Sequence, residues 1–182
     1  MNEQLEFLRL IASRLDAAGI PYMLTGSMAM SVYVAPRMTR DLDFVVECKP
    51  EDAQRFVELF SSDCYVDSGA VREAIRERRS FNIIHNEWIA KADFIVRKDS
   101  DYGRTEFGRR RSVDMGGWSM QVATAEDLLL TKLQWWKDGS SELHHRDAAL
   151  LASQAPDLDW DYVRSWADKL GLAAALAEVG PR

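Results

Sequence analysis

The residues best equipped for chemistry are three aspartates embedded in apolar surroundings. Asp41 and Asp43 stand in Asp41-Leu42-Asp43-Phe44-Val45-Val46, and Asp93 stands in Lys91-Ala92-Asp93-Phe94-Ile95-Val96. Strand side chains alternate between faces, so Asp41 and Asp43 share one face while Leu42, Phe44 and Val46 take the other, toward the core. Carboxylates two residues apart on a strand lie within about 7 Å of each other. Like charges held that near repel, and a bound Mg²⁺ is the usual resolution.

Upstream, the apolar stretch Tyr22-Met23-Leu24-Thr25 runs into Gly26-Ser27. Gly26 lets the backbone approach an anion, Ser27 adds a hydroxyl donor, and the start of the following helix offers N–H groups to a phosphate. A phosphate cradle beside metal-binding carboxylates is what phosphoryl or nucleotidyl transfer requires. If the Asp93 strand neighbours the Asp41–Asp43 strand, three carboxylates converge, enough for two Mg²⁺ ions. Asp93 is then placed to deprotonate or orient an attacking hydroxyl. An Asp-x-Asp alone is mostly solvated strand surface; the chemistry is carried by its conjunction with Gly26-Ser27 and Asp93.

These residues have to be positioned by regular elements, and the periodicity names them. Leu5, Leu8, Ala12 and Leu15 recur at helical spacing, and Gly19 with Pro21 ends that helix. Strands are expected at Tyr22–Thr25 and Leu42–Val46, with a short helix over Met28–Tyr33 between them. A helix from Pro50 to Phe60, a short strand at Tyr65-Val66 and a basic helix from Ala70 to Arg78 follow. Phe81–His85 and Trp88–Val96 read as paired strands joined by Asn86-Glu87, and Asp99 to Arg111 as a loop or frayed helix. Ser112–Met115 and Trp118–Val122 flank Gly116-Gly117, a favourable hairpin turn. After Thr124, which with Asp127 resembles a capping box, the pattern is all helical. The expected architecture is an α+β mixed sheet flanked by helices over residues 1–123, with a small helical C-terminal subdomain over 124–182.

The 182 residues are 47% hydrophobic and 29% charged, within ordinary globular usage, with a formal net charge of −6. That acidity excludes a globally basic, DNA-coating protein but not a local basic groove. Eleven Lys and Arg stand against seven Asp and Glu between Arg72 and Arg111, so the middle of the chain is locally basic. Such a distribution suits a nucleotide or an RNA backbone, although any single arginine is more often solvated surface. Arg37 and Arg40, flanking the acids, are the cations best placed to meet phosphate. Cys48 and Cys64 make neither a disulfide framework nor a zinc spacing and read as buried thiols. With no signal-like or membrane-length apolar run, a reducing cytoplasm is the expected location.

The pattern of apolar strand, Gly-Ser, helix, Asp-x-Asp and a later strand aspartate resembles the nucleotidyltransferase superfamily with the DNA polymerase β-like fold. Gly26, Ser27, Asp41, Asp43 and Asp93 match it position by position, with thirteen residues between Ser27 and Asp41, the long end of the family's range. The wording Arg37-Met38-Thr39-Arg40-Asp41-Leu42-Asp43 is similar to the prokaryotic AbiEii-type group, which includes toxins of toxin–antitoxin pairs. The resemblance spans about residues 20–150. It implies a Mg²⁺-dependent transfer of a nucleoside monophosphate from an NTP such as ATP to an acceptor hydroxyl. Gly26 and Ser27 would hold the phosphates, and Asp41, Asp43 and Asp93 would hold two metal ions. The acceptor could be a tRNA 3′ end, a protein or a small molecule such as an aminoglycoside, and an antitoxin is a possible partner.

The same resemblance implies site roles for Lys132, as a triphosphate-binding cation, and for Asp147. Both border apolar helix faces, where an unpaired charge is costly, so a salt bridge joining the C-terminal helices is the structural alternative. A reading from another class also stands: a non-catalytic nucleotidyltransferase-fold module that binds within a regulatory or toxin–antitoxin complex. His144-His145 point about 100° apart on a helix and make a poor metal pair.

Overall fold

The computed structural model describes residues 2–35, 39 and 41–181. Helix α1 (Asn2–Ala18) buries Phe7, Leu8, Ile11 and Leu15 along one stripe. It ends at Gly19, whose φ of +64° suits a residue without a β-carbon. Arg14 on its polar side clamps Asp63 through two hydrogen bonds of 2.7 and 2.6 Å.

Strand β1 (Tyr22–Thr25) leads directly into the short helix α2 (Gly26–Met30), and β2 (Leu42–Val46) returns antiparallel to β1. A 3₁₀ turn at Pro50–Asp52 opens α3 (Ala53–Phe60). Then come β3 (Cys64–Val66), α4 (Ser68–Glu77), β4 (Ser80–His85), β5 (Lys91–Val96), α5 (Asp101–Gly108), and the hairpin β6 (Arg111–Asp114) and β7 (Ser119–Val122). Four helices close the chain: α6 (Ala125–Gly139), α7 (Glu142–Gln154), α8 (Trp160–Lys169) and α9 (Ala173–Val179). The strands form one mixed sheet in the order β3-β4-β5-β2-β1-β7-β6. It is an α+β fold, as the alternation of patterns anticipates.

Strand alternation gives the sheet two unlike faces. On one, Phe44 and Phe94 stack at 5.4 Å, Phe81 stacks on Phe94 at 5.3 Å, and Phe56 and Phe60 of α3 pack edge-on or tilted against them. Each such buried ring contributes roughly 1.5–3 kcal/mol, which makes this face the anchor of the domain. The opposite face carries the polar residues of the same strands.

Local details differ from the periodicity for identifiable reasons. Strand β5 begins at Lys91 rather than Trp88, because His85 and Trp88 stack at 3.9 Å and Ile89 adopts φ +51°, which makes 86–90 a five-residue turn. The segment after Asp99 is a formed helix: Ser100 caps α5 by accepting from the Gly103 N–H, and Arg104 holds Asp99 and Asp101 at 2.6 Å. Thr124 does cap α6 through the Asp127 N–H. The Asp127 carboxylate, however, is wholly buried and accepts from the Thr124 and Tyr162 hydroxyls at 2.7 and 2.6 Å. Both cysteines are buried and free, with burial pushing each thiol up to about 12. Among the described residues no helix is long and apolar enough to cross a membrane.

Candidate active site

Sheet register brings the site together. Thr25 of β1 lies opposite Asp43 of β2, Asp43 is the parallel partner of Asp93 on β5, and Asp93 pairs with Asn82 on β4. Directly paired residues share a face, so one polar row, Thr25–Asp43–Asp93–Asn82, crosses four strands on the face away from the phenylalanine cluster. The expectation that the Asp93 strand neighbours the Asp41–Asp43 strand is realised by a parallel pairing fifty residues apart in sequence.

Gly26 makes room for Asp43. A β-carbon there would land on the Asp43 carboxylate, 2.8 Å from its carboxyl carbon, and the residue has φ +67°. Only glycine serves both demands. Helix α2 begins at Gly26, two residues earlier than expected from Met28, and is five residues long. So short a helix has little dipole of its own to offer an anion.

Lys132 brings a positive charge to this turn. Its side chain is 1% exposed, its Nζ pairs with Asp147 at 2.8 Å, and it donates to the Ser27 hydroxyl at 3.1 Å. Ser27 and Lys132, 105 residues apart, therefore form one unit, and Asp147 of α7 holds the lysine in place. The structural alternative for this pair is observed, a buried salt bridge joining α6 to α7, and the same cation reaches the Gly-Ser turn.

The electrostatics of the carboxylates are set by burial and by their own closeness. Burial, with the negative charges of Asp93 and Asp41 added, pushes the Asp43 carboxyl up to about 6, against the pull of Lys132 and Lys91. Asp93 is partnered by Lys91, two residues earlier on the same face, at 2.8 Å. Asp41 is exposed, just before β2. Among the described residues no three acidic, histidine or cysteine side chains stand close enough to hold a metal ion as placed. The donor chemistry still fits a hard divalent cation: oxygen ligands, a carboxylate whose ionisation is opposed by its neighbours, and a glycine cradle beneath it. Arg37 and Arg40 lie outside the described residues.

Strand alternation already put Lys91 on the face of Asp93. Asn82 needed the register, and Glu106 lay in the segment read as a loop or frayed helix. Glu106 borders a cavity of about 1030 Å³ whose floor is Thr25, Val45 and Ile95. Val45 and Ile95 are the same-face residues that follow Asp43 and Asp93. Crowding by its surroundings, with the Asp127 charge added, pushes the Glu106 carboxyl up to about 8.

The basic stretch is largely spoken for. Arg76 and Arg79 pair with Glu77 at 2.9 and 3.0 Å, and Arg72 donates to Gln54. Arg109 lies on the Tyr162 ring at 3.8 Å beside Asp127 and Glu126. His144 and His145 pack on Trp135 and Trp136.

No protein-family model and no curated protein sequence matches this chain. Solved structures do. It is similar to the antibiotic-resistance factor ANT(2'')-Ia, with a TM-score of 0.61 at 12% identity over 97% of this chain and 92% of that one. The lincomycin-bound lincosamide antibiotic adenylyltransferase LnuA aligns with a TM-score of 0.55 at 14% identity, covering 84% and 97%. An antigenic nucleotidyltransferase-like protein from Paracoccidioides brasiliensis aligns at 0.54 and 16% identity, covering 97% and 92%. The fold of this chain is therefore the nucleotidyltransferase fold.

Proposed function

We propose that this protein is a nucleotidyltransferase that moves a nucleoside monophosphate from an NTP to an acceptor hydroxyl. The observation that carries this reading is the Asp43–Asp93 pair, set side by side with Asp43 packed on Gly26, and the Lys132–Ser27 unit next to it. Ser27 and Lys132 would bind the β- and γ-phosphates, Lys132 offsetting their charge and the Ser27 hydroxyl donating to them. Asp41, Asp43 and Asp93 would hold Mg²⁺, which when bound neutralises phosphate charge and lowers the pKa of the acceptor hydroxyl. Asp93, on the strand that borders the cavity, would orient the acceptor and take its proton. The acceptor oxygen bonds to the α-phosphorus, the bond to the bridging oxygen breaks, and pyrophosphate leaves with that electron pair.

A small-molecule alcohol is the acceptor class we favour. ANT(2'')-Ia is known in complex with adenylyl-2''-tobramycin and LnuA with lincomycin, and both share this fold. Three of the arginines that could have tracked a tRNA or RNA backbone, Arg76, Arg79 and Arg109, pair within the protein. We place the reaction in the cytoplasm, where NTP and Mg²⁺ are supplied.

The test is incubation of the protein with each α-labelled NTP and Mg²⁺, together with tRNA, lysate protein, tobramycin or lincomycin. Label should enter a small molecule and be lost in Asp43→Ala with the fold intact by circular dichroism. Label in tRNA or protein would move the acceptor to the toxin-like class. A protein that binds no NTP in calorimetry would be the non-catalytic binding module.

A further inference from the structure

The cavity described above continues the carboxylate face away from the phosphate-binding end. Its floor residues Val45 and Ile95 sit one same-face step, about 7 Å, from Asp43 and Asp93. Its walls come from α5, α6 and α8, which present the rings of Tyr102, Trp135 and Trp166. Two polar features point at an occupant. The Thr25 hydroxyl oxygen, at the floor, is buried and has no hydrogen-bond partner among the described residues. Among the described residues the Glu106 carboxyl accepts a hydrogen bond only from the Thr131 hydroxyl, at a long 3.4 Å.

Charge decides what that occupant is. Asp101 at the rim pairs with Arg104 at 2.6 Å, and Asp138, still charged, accepts from the Gln134 amide. Glu106 is largely protonated at neutral pH, since its carboxyl is pushed up to about 8. Lys98 and Lys169 also line the cavity. A polyamine would meet more positive than negative charge here, whereas an uncharged ring finds aromatic faces and apolar floor.

We propose that this cavity binds the acceptor, and that it selects an uncharged, ring-bearing alcohol over a polyamine, with Glu106 and Thr131 holding its polar edge between the aromatic rings. This rests on the nucleotidyl-transfer reading and narrows it. Glu106 is then a specificity-determining residue that works as a neutral hydrogen-bonding group.

Tryptophan fluorescence tests it on the full chain with Mg²⁺ and a non-hydrolysable ATP analogue, because Trp135 and Trp166 line the cavity. The probes are 4-nitrobenzyl alcohol and 4-nitrophenyl β-glucoside, with spermine as the competing polyamine. Saturable quenching is expected from at least one nitro alcohol, at an affinity at least tenfold above that of spermine. Glu106→Leu and Trp166→Ala, shown folded by circular dichroism, should weaken it at least tenfold, and Glu106→Gln should stay within about twofold. The proposal is overturned if neither alcohol saturates, if spermine binds more tightly, or if Glu106→Gln abolishes binding. Displacement of the probe by the ATP analogue would give the cavity to the nucleobase, overturning the acceptor assignment while upholding nucleotide binding. A protein that takes the probe but never binds a fluorescent ATP overturns the transfer reading, and the acceptor role with it.

Discussion

Lys132 of α6 and Asp147 of α7 form an ion pair of 2.8 Å with 1% and 3% of their side chains exposed, and the same ammonium donates to Ser27 at 3.1 Å. Removing one partner strands a buried charge, which typically costs about 3–5 kcal/mol. Lys132→Met and Asp147→Leu should each lower urea-unfolding stability by that order, while the double variant recovers most of the loss. NTP affinity separates the roles: if Lys132 binds phosphate as proposed, the double variant stays folded and still binds NTP at least tenfold more weakly.

Gly26→Ala tests the fit of the turn against Asp43. The new methyl group must displace the carboxylate and occupy a left-handed backbone conformation, at a cost of about 1–3 kcal/mol. Transfer should fall by at least a hundredfold while circular dichroism retains the native spectrum. An alanine variant with unchanged activity would remove the reason for a glycine here.

Lys91 holds Asp93 at 2.8 Å and so competes with any cation that Asp93 would bind. Lys91→Gln is expected to tighten Mn²⁺ binding three- to tenfold in calorimetry, and the remote exposed control Lys49→Gln to leave it unchanged. Equal affinity in both variants would show that the ion pair does not stand in the metal's way.

Asp43 has its folded-state pKa raised to about 6, above the ordinary carboxylate value of 3.8. Between pH 4 and 6 the unfolded chain ionises this group before the folded one does, so its contribution to stability is lost as pH rises through that window. Asp43→Asn should therefore be more stable than the native protein above pH 6, by on the order of 1–2 kcal/mol once solvent screening is allowed for. Catalysis should be lost in the same variant. Parallel denaturation curves at pH 4 and pH 8 check the sign.

Glu106 follows the same linkage over a wider window, because its carboxyl is pushed up to about 8. Below about pH 4 both states are protonated; from there to pH 8 stability falls as the unfolded chain alone ionises. Glu106→Gln removes that fall, so its advantage should grow across the window to on the order of 2 kcal/mol at pH 8. A constant difference across pH would place Glu106 in open solvent.

Much of the site was legible because its signals are local. Alternation put Asp41 and Asp43 opposite Leu42, Phe44 and Val46, and Gly26-Ser27 marked the turn where β1 ends. Those readings depend on periods of two and 3.6 residues and on backbone freedom at one glycine, all of which a short segment determines alone. The hairpin about Gly116-Gly117, with φ values of +84° and +94°, was readable for the same reason.

Contacts between distant segments were decided only by the folded chain. That Asp93 stands beside Asp43 depends on β5 crossing over to pair parallel with β2, and nothing in either strand specifies its neighbour. The partner of Lys132 could have been solvent, a phosphate or Asp147; burial of both helices' apolar sides turned the two charges inward, where leaving either unpaired is too costly. Helix α5, read as a loop or frayed helix, is firmly formed because the Ser100 cap and the Arg104 ion pairs outweigh a weak apolar pattern. The sequence by itself determined which polar residues interrupt the apolar strands and which face each takes on its own strand. Which of them meet was settled by packing, because the free energy of burial is shared across segments that lie far apart along the chain.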